Sequence, residues 1–124
     1  MTSHPSVLEE RMTASRLDGF ARAWLRYDLD GLRSYLTEDA LYSPLSGELV
    51  RGREAVVRRF AEVLADDRPC VLRFEPSTVW GSFGTCRWRM VGRTADGGRF
   101  AVEGIDLYEF RGNLIRVKDV YQKA

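Results

Sequence analysis

The stretch Gly104-Ile105-Asp106-Leu107-Tyr108-Glu109-Phe110-Arg111-Gly112-Asn113-Leu114-Ile115-Arg116-Val117-Lys118-Asp119-Val120-Tyr121 constrains the fold more than any other part of the chain. Adjacent Gly and Asn favour a two-residue turn, so Gly112-Asn113 predicts an antiparallel hairpin with Arg111 facing Leu114. In that register Asp106 stands opposite Asp119. Side chains alternate along a strand, which puts Asp106 on a face with Gly104, Tyr108 and Phe110, and Asp119 on one with Ile115, Val117 and Tyr121. Both carboxylates are expected in apolar surroundings. Like charges facing each other destabilise a sheet, and a carboxyl in an apolar pocket beside another holds its proton. Such a pair is a proton donor in waiting. Alternative readings stay open: the charges sit at a solvated hairpin end, a one-residue slip separates them, or Lys118 or Arg116 neutralises one of them from a neighbouring strand.

A helical front precedes this stranded back. Ser6-Val7-Leu8-Glu9 has the spacing of a capping box. Leu17, Phe20, Ala21, Trp24 and Leu25 then mark one apolar face of a helix ending near Tyr27. Asp28-Leu29-Asp30-Gly31 reads as the stop of that helix and the cap of a short second one carrying Leu32, Tyr35 and Leu36 inward. Ala40 to Ser43 is expected as a strand, Pro44 to Arg51 as a loop with some strand character, and Arg53 to Ala65 as a third helix. That helix should bury Val56, Val57, Phe60, Val63 and Leu64 and present Arg53, Arg58 and Arg59 to solvent. Val71 to Trp80, Phe83 to Thr94, Arg99 to Phe110 and Asn113 to Tyr121 read as an antiparallel meander turned by Asp96-Gly97-Gly98 and Gly112-Asn113. Three helices followed by a long sheet make an α+β domain.

Composition excludes several function classes. The 124 residues suit one domain, here residues 1–124 with residues 1–14 as a partly helical N-terminal extension. A formal net charge of +1 gives no electrostatic reason to expect nucleic acid or an anionic membrane as a partner. No run approaches the roughly 20 apolar residues of a membrane span, and Met1 to Arg11 lacks the layout of a secretory signal, so the expected location is cytoplasmic. Cys70 and Cys86 lack metal-site spacing and are read as buried thiols, and the single histidine, His4, lies in the N-terminal tail. No metal and no cofactor are expected. The glycines form no phosphate loop.

Several segments occur in the order of a known superfamily. They are Phe20-Ala21-Arg22-Ala23-Trp24 leading into Asp28-Leu29-Asp30-Gly31-Leu32, then Leu36-Thr37-Glu38-Asp39-Ala40-Leu41-Tyr42-Ser43-Pro44. Gly52-Arg53-Glu54-Ala55-Val56, Gly104-Ile105-Asp106 and Gly112-Asn113-Leu114-Ile115 follow. Over roughly residues 15–121 the chain resembles the nuclear transport factor 2-like (NTF2-like) superfamily, and within it the SnoaL-like polyketide cyclases, with ketosteroid isomerase and limonene epoxide hydrolase as relatives. The resemblance implies a cone-shaped fold, three helices packed on a strongly curved antiparallel sheet around a deep apolar pocket.

The resemblance also assigns roles to single positions. Asp106 falls where the isomerases carry the acid that hydrogen-bonds an enolate oxygen. Their second donor aligns with Phe20 and their general base with Ser43, and neither residue can do that work. The last acid of the hydrolase set resembles Asp119, while its other two members fall near Trp88 and Met90. Recruiting Arg87 or Arg89 instead would need a bulge.

The residues expected to act on a substrate are therefore Asp106, Asp119 and Tyr42. Trp24, Tyr27, Ser43, Trp80, Trp88, Met90, Tyr108 and Tyr121 are expected to line the pocket. Tyr42 and Tyr108 stand out because a phenol in an apolar pocket needs a partner and can donate to a carbonyl. The function expected is cofactor-free acid/base chemistry on a hydrophobic, oxygenated small molecule such as a polyketide or terpenoid: cyclisation, isomerisation, dehydration or epoxide opening. The alternative is a non-catalytic ligand-binding or scaffold domain. The outer sheet face, with Arg87, Arg89, Glu103, Ile105 and Leu107, is expected to build a homodimer.

Overall fold

The computed structural model describes residues 6–45, 47–65 and 70–123. His4 and the first five residues of the expected extension lie outside the described residues. Helix α1 (Val7–Leu25) starts at the foreseen capping box: the Ser6 side chain accepts from the Glu9 amide at 3.1 Å, and Ser6 N–H returns to the Glu9 carboxylate. It ends where Tyr27 takes a φ of 57°. Asp28 caps α2 (Leu29–Ser34) by accepting from the Gly31 amide at 2.9 Å. Strand β1 (Leu36–Ser43) is longer than the sequence suggests, and the following loop pairs with it only through β2 (Val50–Arg51). Helix α3 (Arg53–Leu64) buries Val56, Val57 and Phe60, with Val63 and Leu64 half-buried.

The expected strand from Val71 to Trp80 is two strands, β3 (Cys70–Phe74) and β4 (Thr78–Trp80), interrupted at Glu75-Pro76-Ser77. Proline there cannot donate to a ladder. Both pieces pair with β5 (Phe83–Arg93), which pairs along its whole length with β6 (Arg99–Arg111), and β6 with β7 (Leu114–Gln122). The sheet order is β2-β1-β7-β6-β5-β3. One pairing is parallel, β1 against β7, because the chain runs through α3 and the whole meander before returning beside β1. The curved, unclosed sheet packs its inner face on the helices. Leu17, Phe20, Leu32, Leu36, Val56, Phe60 and Ile115 form the core between them.

The hairpin begins in the expected register, Arg111 opposite Leu114 and Phe110 opposite Ile115, around Gly112 with a φ of 63°. It then slips. Glu109 pairs with Val117 instead of Arg116, so Arg116 is an extra residue and every later side chain of β7 changes face. Asp106 faces Val120, and Asp119 faces Leu107 on the outside of the sheet. The expected Asp106–Asp119 pair is therefore corrected, and Lys118 turns inward in its place. The bulged Arg116 has a use of its own. Its guanidinium lies 3.1 Å from Asp39 on β1, beside Arg111, which bonds both Asp39 oxygens at 3.1 and 3.0 Å. Those hydrogen bonds and charges hold the exposed Asp39 carboxyl at a pKa of about 2.

If Arg116 is the extra residue of β7, deleting it should leave the rest of the strand in register, because Val117 still meets Glu109 and Lys118 still meets Tyr108. Arg116→Ala keeps the bulge and loses a partly exposed ion pair, so it should cost about 1 kcal/mol. Deleting Arg116 removes the bulge and the same ion pair but keeps Lys118 facing Asp106, so its cost should stay well below the about 3–5 kcal/mol of stranding a buried charge. Chemical denaturation of both variants checks this; a deletion cost of about 3–5 kcal/mol would show that the register of β7 is lost with the residue.

Candidate active site

Four strands and two helices converge on one buried polar cluster in the wall of a mostly apolar cavity of about 600 Å³, within the range of small-molecule sites. On β6 the inward parity of Gly104, Asp106, Tyr108 and Phe110 holds as the sequence predicts. Asp106 is 3 % exposed, and its cross-strand neighbours are Cys86 on β5 and Val120 on β7. Its hydrogen bonds come from two diagonal cross-strand positions and from two residues along β6. Trp88 Nε1–H donates to Oδ1 at 3.0 Å; the Tyr108 hydroxyl donates to Oδ2 at 3.0 Å; and Lys118 Nζ donates to Oδ2 at 2.7 Å. A carboxylate offers about four acceptor sites, so this one is nearly saturated. The like-charged neighbour expected to keep a proton on Asp106 is replaced by an ammonium.

That ammonium is itself caged. Lys118 Nζ lies 5.3 Å from the ring centre of Trp24, 5.6 Å from Tyr42 and 5.4 Å from Tyr108, within the range of cation–π attraction. Lys118 is paired with Tyr108 across β6 and with Tyr42 across β1, so sheet register alone brings these rings to it. Phe60 supports the cage from α3, at 4.9 Å from Tyr42 and 5.1 Å from Trp24 between ring centres. Burial, reinforced by the Asp106 charge, pushes the Tyr108 phenol well above its ordinary pKa; burial also raises Tyr42, against the opposing pull of Lys118. Both phenols are hydrogen-bond donors at neutral pH.

Gly104 makes the Trp88 contact possible. It sits opposite Trp88, and a Cβ at that position would fall inside the indole and against the Tyr121 carbonyl oxygen. With hydrogen there instead, the indole lies over the β6 backbone and reaches Asp106 two residues further on.

Of the residues singled out from sequence, Asp106, Tyr42, Trp24, Tyr27, Trp88, Met90 and Tyr108 line this cavity, Tyr27 from its exposed rim. The others do not meet there. Ser43 pairs with Asp119 across β1 and β7, outside the cavity. Trp80, on the short β4, is 51 % exposed and lies away from the cavity, while Tyr121 borders a separate groove on the outer face. Cys70 corrects the buried-thiol reading: it is exposed and borders the cavity. Cys86 is buried as expected, and that burial pushes its thiol up to about 11. Arg59 is not wholly on the solvated face of α3; it lines the cavity and pairs with Glu62 at 3.2 Å.

Lys118 was missed as a site residue because strict alternation from the turn placed it outside. Leu72, Phe74 and Val120 complete the apolar wall. Among the described residues no group of His, Cys, Asp and Glu could hold a metal ion, and no helix is long and apolar enough to cross a membrane.

A family model for the SnoaL-like domain matches residues 17–117, from the first core leucine of α1 to the bulge in β7. The chain belongs to the SnoaL-like domain family. No curated protein matches this SnoaL-like sequence. Solved structures do. An NTF2-like protein of unknown function from Mesorhizobium loti superposes with a TM-score of 0.78 at 24% identity, covering 100% of both chains. A candidate polyketide cyclase from Xanthomonas campestris pv. campestris gives 0.75 at 17% identity over 93% of each chain. A candidate ketosteroid isomerase from Kribbella flavida gives 0.76 at 14% identity over 94% of this chain and 81% of its own. What is shared at these identities is the fold.

Two measurements test the site. Gly104→Ala should displace the Trp88 indole from Asp106 and cost about 1–3 kcal/mol, as overpacking does; loss of the downfield Trp88 indole N–H resonance together with a lower unfolding midpoint checks it. The phenols set an alkaline limit. The folded state keeps a proton on Tyr108 that the unfolded chain loses near pH 10, so stability from this source is complete below pH 10 and falls as pH rises above it. Absorbance titration at 295 nm should show that Tyr108→Phe removes the last phenol to ionise.

Proposed function

We propose that this SnoaL-like chain is a cofactor-free acid/base enzyme acting on a small hydrophobic molecule that carries a carbonyl, epoxide or hydroxyl oxygen. The reaction type is a cyclisation, isomerisation, dehydration or epoxide opening of a polyketide-like or terpenoid-like substrate. The observation that carries this reading is a carboxylate, an ammonium and two neutral phenols gathered at the wall of a mostly apolar cavity. Asp106 is the base. Tyr108, Tyr42 and Lys118 hold the substrate oxygen and stabilise charge developing there. A positioned base contributes about 10²–10⁴-fold in rate, and dry surroundings strengthen each of these interactions.

Residues 1–124 act in this proposal as one domain, in the cytoplasm, with no metal, organic cofactor or nucleic acid. The protein pairs as a homodimer through the outer sheet face, where exposed Leu107 and Tyr121 flank half-buried Ile105.

The second reading, a ligand-binding domain without turnover, is favoured by the near-saturation of Asp106: three donors hold it, and a substrate proton must compete with them. Ser43, in the position of the isomerase base, also stands outside the cavity.

Deuterium exchange at the α-carbons of 2-tetralone, followed by proton NMR in D₂O, separates the two. The enzyme reading expects exchange above the buffer rate, reduced about 10²-fold or more in folded Asp106→Asn and by about 10²-fold in Tyr108→Phe. Saturable binding of the ketone with no exchange by the wild-type protein selects the binding domain.

A further inference from the structure

The chain carries 17 arginines and two lysines, Lys118 and Lys123. Arginine supplies nearly every cation, including the ion pairs at Arg33, Arg53, Arg59, Arg89, Arg111 and Arg116. Arg59 at the cavity is paired with Glu62, but the cation beside Asp106 is a lysine, 5 % exposed. A guanidinium makes the better bidentate partner for a buried carboxylate and cannot be deprotonated in a protein, whereas an amine gives up its proton and becomes a nucleophile. The position filled by lysine is thus the one where the amine faces a cavity and a proton acceptor lies 2.7 Å away.

We propose that Lys118 condenses reversibly with hydrophobic aldehydes or ketones to form an imine within the cavity. This deepens the acid/base reading by naming carbonyl compounds as the substrate class, and it rests on the same pocket. The Lys118 ammonium passes a proton to Asp106 Oδ2, and the free amine forms a bond to the carbonyl carbon as the carbon–oxygen π bond breaks. The carbinolamine oxygen takes up the proton held by Asp106 together with a second one from nitrogen and leaves as water. The nitrogen–carbon double bond forms with one hydrogen still on nitrogen, so the product is an iminium beside the Asp106 carboxylate. One ammonium–carboxylate pair becomes one iminium–carboxylate pair, with one water released and no change in buried charge.

The surroundings fit that product. The three rings that cage the ammonium are equally placed for an iminium. The Tyr108 hydroxyl, 3.4 Å from Nζ, reaches the oxygen that must leave. Apolar walls shelter the imine from hydrolysis. Lysines desolvated in hydrophobic pockets are established nucleophiles toward carbonyls.

The test is reductive trapping on the whole wild-type protein with 2-naphthaldehyde and sodium cyanoborohydride, read by intact mass and peptide mapping. This aldehyde has no α-hydrogen, so trapping reports imine formation independently of proton abstraction. Lys123, which is exposed, serves as an internal standard for ordinary surface reactivity. The expected result is labelling at Lys118 at least tenfold faster than at Lys123, suppressed by excess 2-tetralone at Lys118 alone. Lys118→Arg should lose that adduct and keep the Lys123 one. Labelling at Lys118 no faster than at Lys123 overturns the proposal. If tetralone binding and α-proton exchange persist in that case, the acid/base reading stands without the imine. If the ketone neither binds nor exchanges, both readings fall.

Discussion

A carboxylate and an ammonium 2.7 Å apart, each almost wholly buried, set the terms for the sheet around them. Such a pair adds little net stability over a well-packed apolar one, because the desolvation of both charges offsets their attraction. Its force lies in the penalty for separating them. Any slip of β7 against β6 leaves one charge alone in the core, so the pair admits a single register. The bulge at Arg116 satisfies that demand. It turns Lys118 inward and leaves the arginine itself half-buried between β1 and β7, where Asp39 and Arg111 complete an ion-pair cluster tying β1 to the hairpin.

From this pair the rest of the cavity follows by sheet geometry. Cross-strand pairing puts Tyr42 and Tyr108 on either side of Lys118, and the diagonal offset puts Trp88 against the second carboxylate oxygen. Gly104 is needed because an indole lying over a strand leaves no space for a side chain beneath it. Helix α1 adds Phe20 and Trp24, and α3 adds Phe60, so the aromatic wall belongs at once to the core and to the pocket. Stability and ligand recognition therefore draw on the same side chains here.

Set against the roles that the sequence resemblance implies, the acid on β6 stands in different company. Ser43, which the resemblance sets at the general-base position, lies outside the cavity, and Asp119 is turned outward by the bulge. A lysine takes the place that a second carboxylate was expected to fill. That exchange alters the chemistry available. Two carboxyls share a proton and act as acid and base, whereas a carboxylate beside an amine can exchange a proton with a nucleophile.

Much of this was legible in the residues alone. The capping box at Ser6, the Asp28 cap, the apolar face of α1, the Gly112-Asn113 turn and the inward parity of Asp106 and Tyr108 all follow from local chemistry, since each depends on residues within a few positions of one another. The family segments gave the order of elements and hence the cone. What the sequence could not decide was the face of Lys118 and Asp119. A bulge has no compulsory residue when the extra position is not glycine, and nothing between Leu114 and Lys118 marks Arg116 as the one left unpaired. The choice is made by partners far along the chain: Asp39 to hold the arginine outside and Asp106 to hold the lysine inside. The exposed Cys70 and the outward Tyr121 belong to the same class, because burial of a strand residue depends on which neighbour covers it, whereas the strand break at Pro76 has a local cause in the missing N–H. Local sequence determined the elements and one half of the buried pair; long-range packing chose the other half, because an unpaired charge in the core costs more than an irregular strand.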